Sequence, residues 1–382
     1  MSPLQDLFVF AEHSTMWRAS AAIVAILGLV TAAWAQETPP ATTAAKSSAQ
    51  KLKEDPNDVQ ALNEYFEQAM SSAVKIMELQ PEAARKQLQE ISKSLGELKP
   101  SAPPAIKRVE TAKVHVTRYL KEIEIQQTPL ADIEQKLTAN PDDTEALSHY
   151  VFKMTQSIER AIKGSPDEAA KLLEAFRAGL KKTSENAKEA ATRTQAGTES
   201  RNTFRLERSI ESARTQLAVI GKDAAPLDAL AWVNGSPLAD NDLKGKVVLL
   251  DFWAVWCGPC IRSFPHLREW NEKYGEKGLV TIGLTRYYEF DWNADAKTAV
   301  RVPGLSHEKE QEMLVKFAEL HGLKYRFGLQ SDESSLAKFY GVTFIPQVVV
   351  IDQQGKVRLI RVGSGDEQAA AIAELLEKLL GP

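Results

Sequence analysis

Between about residues 51 and 221, apolar side chains recur every three or four positions in a background of Ala, Glu, Lys and Gln, the spacing of amphipathic helices that pack on one another. No strand-like run interrupts this stretch, and proline punctuates it. Asp55-Pro56-Asn57-Asp58 predicts the start of a helix running to about residue 79, Pro81 stands at the first turn of the next, and Pro100, Pro103 and Pro104 set off a third that ends near Gln127. After Pro226 the pattern changes to strands alternating with helices. Residues 246–252, 279–284, 347–352 and 356–362 read as strands, the first apolar enough to be central and buried; residues 261–274, 308–321 and 366–380 read as helices, and Gln353-Gln354-Gly355 as a hairpin turn.

The helical stretch is internally duplicated. Gln50-Lys51-Leu52, Pro56, Asp58, Ala61-Leu62 and Tyr65 recur in register at Gln135-Lys136-Leu137, Pro141, Asp143, Ala146-Leu147 and Tyr150, and the match continues through Pro81 and Pro166, Leu88 and Leu173, and Leu95 and Leu180. Two Ala/Glu-rich helices alike by chance would not keep their prolines in register, so the unit is a repeat of about 85 residues, expected to be a helical hairpin followed by a third helix. In the second copy Asn140-Pro141-Asp142-Asp143 and Ser165-Pro166-Asp167 open the hairpin helices, and the third segment, 187–220, is polar and weakly periodic. The expected layout is multidomain: a Thr/Ala/Ser/Pro linker at 36–50, an N-terminal all-α module made of repeat units 51–134 and 135–221, and an α/β domain at 224–382. The helical module carries no catalytic constellation, so it reads either as a spacer or dimerisation bundle, or as a module that binds a protein partner.

Charge and cysteine usage narrow the function. A formal net charge of −4 over 382 residues gives no basic surface for nucleic acid. An uncharged apolar run at 19–35, preceded by Arg18 and closed by Ala33-Trp34-Ala35, has the form of a secretory signal cleaved before Gln36, with a retained membrane anchor as the alternative. Either places the rest of the chain outside the cytoplasm, periplasmic or attached to the membrane. The chain has two cysteines, both in Trp256-Cys257-Gly258-Pro259-Cys260. A structural disulfide framework would scatter several along the chain, and no second C-x-x-C or Cys/His pair completes a zinc site. His266, His307 and His321 show no ligand spacing and read as ordinary helix-surface histidines. The expectation is therefore redox chemistry with no metal and no cofactor beyond the cysteine pair.

The position of that pair has a physical consequence. Between the strand ending at Phe252 and the helix that follows, Cys257 falls at a helix N-terminus, where unpaired N–H groups and the helix dipole stabilise a thiolate. Cys260 lies one turn inside, within reach of a mixed disulfide formed on Cys257. Cys257 thus reads as the attacking sulfur and Cys260 as the resolving one.

Residues 224–382 resemble the thioredoxins, and among them the exported TlpA/ResA type. The resemblance rests on Trp-Cys-Gly-Pro-Cys, on Asp251 at the family's buried carboxylate, on Pro265 at its helix kink, and on Tyr340-Gly341-Val342-Thr343-Phe344-Ile345-Pro346 at its cis-proline segment; Asp242-Leu243-Lys244-Gly245-Lys246 matches the exported type's N-terminal extension. It implies Asp251 as proton acceptor for Cys260, and a substrate surface of Trp256, Gly258, Pro259, Ile345 and Pro346. Taken alone, Asp251 also reads as a turn residue, Pro346 as a trans strand-edge proline, and Trp253 and Trp256 as packing residues first. The aromatic stretch Tyr287-Tyr288-Glu289-Phe290-Asp291-Trp292 either borders the substrate groove or packs as a half-buried loop. Thioredoxin pairs its buried carboxylate with a lysine of the second strand; the alignment puts Leu284 there, which leaves Asp251 harder to ionise. The resemblance implies reduction of protein disulfides, electrons from a membrane donor, and a role in cytochrome c maturation. An oxidase or isomerase, and a helical scaffold with an accessory redox pair, are the alternatives.

Overall fold

The computed structural model describes residues 43–382 apart from 78, 294 and 297, so the segment read as an export signal lies outside the described residues. The chain divides into two compact units, Met1–Pro129 and Leu130–Pro382. In the first, helices α1 (Thr43–Glu54), α2 (Val59–Ile76), α3 (Pro81–Glu97) and α4 (Pro103–Gln127) follow one another. α2 begins where it does because the Asp58 carboxylate accepts from the Ala61 N–H at 2.9 Å, while α3 and α4 open on prolines whose missing N–H costs nothing in a first turn. Leu62, Leu88, Leu95, Val116 and Ile123 close the core between them. Asn57 ties the connection before α4, its Oδ1 accepting from the N–H groups of Ser101 and Ala102, each at 2.8 Å.

The second unit opens with the same devices. Helices α5 (Leu130–Ala139), α6 (Thr144–Gly164) and α7 (Pro166–Asn186) bury Leu147, Leu173 and Leu180. Asp143 caps α6 through the Ala146 N–H at 2.9 Å, and Asp142 does for Lys188 and Glu189 what Asn57 does in the first copy, accepting from their N–H groups at 3.1 and 2.9 Å. Two features differ from the sequence reading. A short helix precedes each hairpin, and α1 reaches back to Thr43 across part of the stretch read as linker; its good helix formers dock through Leu52, which is buried. Segment 187–220 is two helices, α8 (Ala190–Asn202) and α9 (Phe204–Val219), parted at Thr203. There the threonine hydroxyl donates to the Ser200 carbonyl at 2.7 Å and accepts from Arg177 Nε at 2.8 Å, an arrangement in which a side chain competes with the helix ladder.

The α/β part of this unit contains β1 (Ala231–Val233), β2 (Val247–Phe252), α10 (Gly258–Tyr274), β3 (Leu279–Arg286), β4 (Phe290–Asn293), β5 (Thr298–Arg301), α11 (His307–His321), β6 (Arg326–Gln330), α12 (Ser335–Phe339), β7 (Gln347–Ile351), β8 (Val357–Val362) and α13 (Asp366–Leu380). Six strands form one sheet in the order β1-β6-β3-β2-β7-β8; β2 runs parallel to β3, and β3 to β6, while the remaining pairs are antiparallel. β2 is central, and all six of its residues are buried. Its alternate residues feed two cores: Val247 and Leu249 with Phe264, Leu267, Phe317 and Leu376 from α10, α11 and α13 on one face, and Val248, Leu250 and Phe252 with Leu336, Tyr340 and the end of α9 at Val219 on the other. Strands β1, β4, β5 and β6 are absent from the sequence reading. Arg326-Phe327-Gly328-Leu329-Gln330 is too polar and glycine-containing to register as a strand; β1 and β3 on either side supply the ladder that makes it one.

Candidate thiol–disulfide exchange site

α10 starts a few residues after β2 ends, with Cys257 as its N-cap and Gly258 and Pro259 in its first turn. Cys257 and Cys260 are joined by a disulfide, and Cys257 Sγ accepts from the Cys260 N–H at 3.2 Å. Both cysteines are buried, Cys260 completely and Cys257 with 4% of its surface exposed. Pro265 lies inside α10 and withholds an N–H from the Ile261 carbonyl. Facing Cys257 is the loop before β7, where the Ile345–Pro346 peptide is cis and the Ile345 carbonyl oxygen lies 3.9 Å from Cys257 Sγ. Trp256 and Phe344, each 45% exposed, flank the opening.

The two tryptophans separate cleanly. Trp253 is buried among Phe264, Phe317 and Phe327, with ring centroids 5.5, 5.4 and 5.0 Å away, and is a core residue. Trp256 meets Tyr288 edge-on at 5.4 Å and Phe290 at 6.4 Å. The aromatic stretch divides: Tyr288 and Phe290 lie against Trp256, whereas Trp292 turns inward onto Phe317 and His321 at 5.0 and 5.7 Å. Glu310 on α11 fixes its start, its carboxylate accepting from the N–H groups of Tyr288 and Glu289 at 2.8 and 3.2 Å. The three histidines of this domain all lie against rings, His266 on Trp270, His307 on Tyr287 and His321 on Phe317.

Asp251 is fully buried in β2, on the same face as Leu249 and Trp253, the face on which Cys260 packs. Neither carboxylate oxygen has a hydrogen-bond partner among the described residues, and burial pushes the carboxyl up to about 7. The residue opposite it needs correcting. Leu284 pairs with Phe252 and serves the other face of the sheet, and the residue facing Asp251 across the β2–β3 ladder is Gly283. A Cβ there would stand 2.8 Å from Trp253 Nε1 and Phe327 Cδ1, so aromatic rings fill the space a lysine would need. What Asp251 has nearby is Tyr325, which the sequence reading missed. Its hydroxyl is buried without a hydrogen-bond partner among the described residues, and burial, then the Asp251 charge, holds its pKa well above the ordinary phenol value.

A cleft of about 820 Å³ runs beside Trp256 and the 341–345 segment. Arg286, Tyr288 and Asp332 form one side, with Arg286 paired to Asp332 at 3.2 Å. Its other side comes from α9.

Residues 221–376 match the Redoxin family. Over 161 residues the chain is 31% identical to the thiol-disulfide oxidoreductase ResA of Bacillus thuringiensis subsp. konkukian, an alignment that takes in 42% of this chain and 78% of ResA. It is 28% identical over 229 residues to protein DipZ of Mycobacterium bovis, covering 56% of this chain and 28% of DipZ, so it spans little more than a quarter of that relative. A thiol-disulfide isomerase structure from Corynebacterium glutamicum aligns at 24% identity over 42% of this chain and 96% of its own, with a TM-score of 0.33. The chain belongs to the thioredoxin-like thiol:disulfide oxidoreductases of the ResA type.

Proposed function

We propose that this protein reduces disulfides in polypeptides outside the cytoplasm, using Cys257 to attack and Cys260 to resolve. The observation that carries the reading is the unequal placement of the two sulfurs at the start of α10, one accepting a backbone N–H at the helix end and facing the Ile345 carbonyl, the other enclosed. In the reduced enzyme the helix start favours a thiolate at Cys257, which attacks one sulfur of a substrate disulfide; that S–S bond breaks, a Cys257–substrate disulfide forms, and the other substrate sulfur leaves as a thiolate. Cys260 then gives its proton to Asp251, whose carboxyl near 7 is partly ionised at neutral pH, and attacks Cys257 Sγ. The second substrate thiol departs, and two electrons have passed from the pair to the substrate. The oxidised pair is returned to the dithiol by a donor dithiol at the membrane.

Trp256, Gly258, Pro259, Ile345 and Pro346 form the surface on which the substrate lies against the attacking sulfur of Cys257. The reducing direction is supported by the Gly-Pro dipeptide, and an export role by the apolar run at 19–35. Apocytochromes c are a substrate class consistent with both.

The decisive experiment is a trap. Cys260→Ser leaves the first step intact and blocks the second, so mixed disulfides with extracytoplasmic proteins accumulate, while Cys257→Ser accumulates none. Equal yields from the two variants would remove protein disulfide exchange as the function. Direction is read from the reduction potential of the pair, expected near the roughly −270 mV of thioredoxin; a value near about −120 mV would make the protein an oxidase.

A further inference from the structure

The last helix of the second repeat touches the loop that faces Cys257. Ser212 of α9 is buried and donates its hydroxyl to the Gly341 carbonyl at 2.6 Å. One turn on, the Gln216 side-chain amide donates to the same carbonyl at 3.3 Å, to Ser212 Oγ at 2.9 Å and to Gln347 Oε1 at 3.1 Å. Gln347 is itself fully buried and passes the connection on, donating to the Tyr340 carbonyl at 2.9 Å. Both ends of segment 340–347, which contains Ile345 and Pro346, are thereby fastened to α9. The fit is close: Gly341 has φ +58°, and a Cβ at that position would lie 3.0 Å from the Ser212 carbonyl oxygen and 3.1 Å from Thr215 Cβ. The same helix supplies Arg208, Glu211 and Thr215 to the cleft beside Trp256 and Phe344.

None of this is needed to build an exchange domain. The end of α9 helps close one core of the sheet through Val219, but that packing asks nothing of Ser212 and Gln216, and a helix used only as a spacer gains nothing by placing two donors on one carbonyl of the loop opposite the reactive sulfur. We propose that α9 is a working wall of the exchange site: Ser212 and Gln216 are positioning residues that hold the 340–347 loop in its substrate-receiving form, so the second helical repeat sets how well a polypeptide disulfide binds at Cys257. The idea rests on the exchange function argued above, and it gives the helical part a role in substrate selection rather than spacing.

Two measurements on the full chain test it, one of them independent of catalysis. Amide hydrogen exchange of Ser212→Ala and Gln216→Leu is expected to speed up in residues 340–347 while the β2 and β3 amides keep their protection. Steady-state reduction of insulin, with dithiothreitol recycling the enzyme, is expected to show KM raised roughly tenfold by the loss of a buried hydrogen bond, with kcat within about twofold. Ser212→Thr, which keeps the hydroxyl, restores both readouts. The proposal is overturned if loop exchange is unchanged, if protection falls equally across the sheet, if kcat drops while KM stays, or if Ser212→Thr behaves like Ser212→Ala. Failure of the wild type to reduce insulin would instead count against the exchange function, and the exchange-rate result would still decide whether α9 holds the loop.

Discussion

In the helical repeats, side-chain oxygens sit at helix starts where backbone N–H groups meet them: Asp58 on α2, Asp143 on α6 and Ser165 on α7 each accept from a residue three positions on. In the α/β domain Asp251 is enclosed mid-strand with neither oxygen hydrogen-bonded, and Tyr325 and Thr281 are likewise buried without partners among the described residues. Both regions bury continuous apolar cores, so the contrast is not one of core quality. Satisfied caps define where elements begin, which is a matter of stability. A bare buried carboxyl costs stability, and under the mechanism proposed above its return is the proton it takes from Cys260.

The sharpest way to break this contrast is Asp251→Asn. The carboxyl titrates near 7 in the folded chain and at about 3.9 when unfolded, so between those values the native state holds a proton that the unfolded chain releases. Stability of the α/β domain therefore falls as pH rises from about 4 to about 7 and levels off above. The full span is on the order of 4 kcal/mol. The Asn variant is expected to lose this slope, to be more stable than the parent at pH 8, and to resolve mixed disulfides more slowly. Urea unfolding of the oxidised protein at pH 5 to 8, followed by tryptophan fluorescence, reads the effect. A slope that survives the substitution would mean Asp251 is not the titrating group.

On the helical side the effects are packing effects. Leu88→Ala, at a fully buried position of α3, is expected to cost about 2–5 kcal/mol in the helical transition seen by circular dichroism, without pH dependence. A loss below about 1 kcal/mol would mean the repeat core collapses around the cavity. The smallest change sharpens the picture further: Asp143→Ala removes one N-cap and should cost about 1 kcal/mol in the same transition. An Asp143→Ala penalty that matched that of Leu88→Ala would show the caps to be holding more than helix ends.

Much of this protein follows from chemistry that neighbours in sequence settle between themselves. The periodicity of residues 51–221, the prolines at 81, 103 and 166, the capping aspartates and the β-branched run at 247–250 each specify an element within a turn or a few residues. The Cys257-Gly258-Pro259-Cys260 geometry is equally local, because a strand end and a helix start place one sulfur at the dipole and the other a turn inside. What the sequence left undecided depends on partners far along the chain. Arg326–Gln330 is a strand because β1 and β3 flank it. Gly283 rather than Leu284 faces Asp251 because the parallel register of β2 and β3, which no turn dictates, brings them together. The break at Thr203, and the attachment of Ser212 and Gln216 to Gly341 well over a hundred residues away, belong to the same class. A polar side chain on a helix surface looks solvent-facing in the sequence, and only the packing of that helix against a loop reveals the carbonyl it was placed to meet.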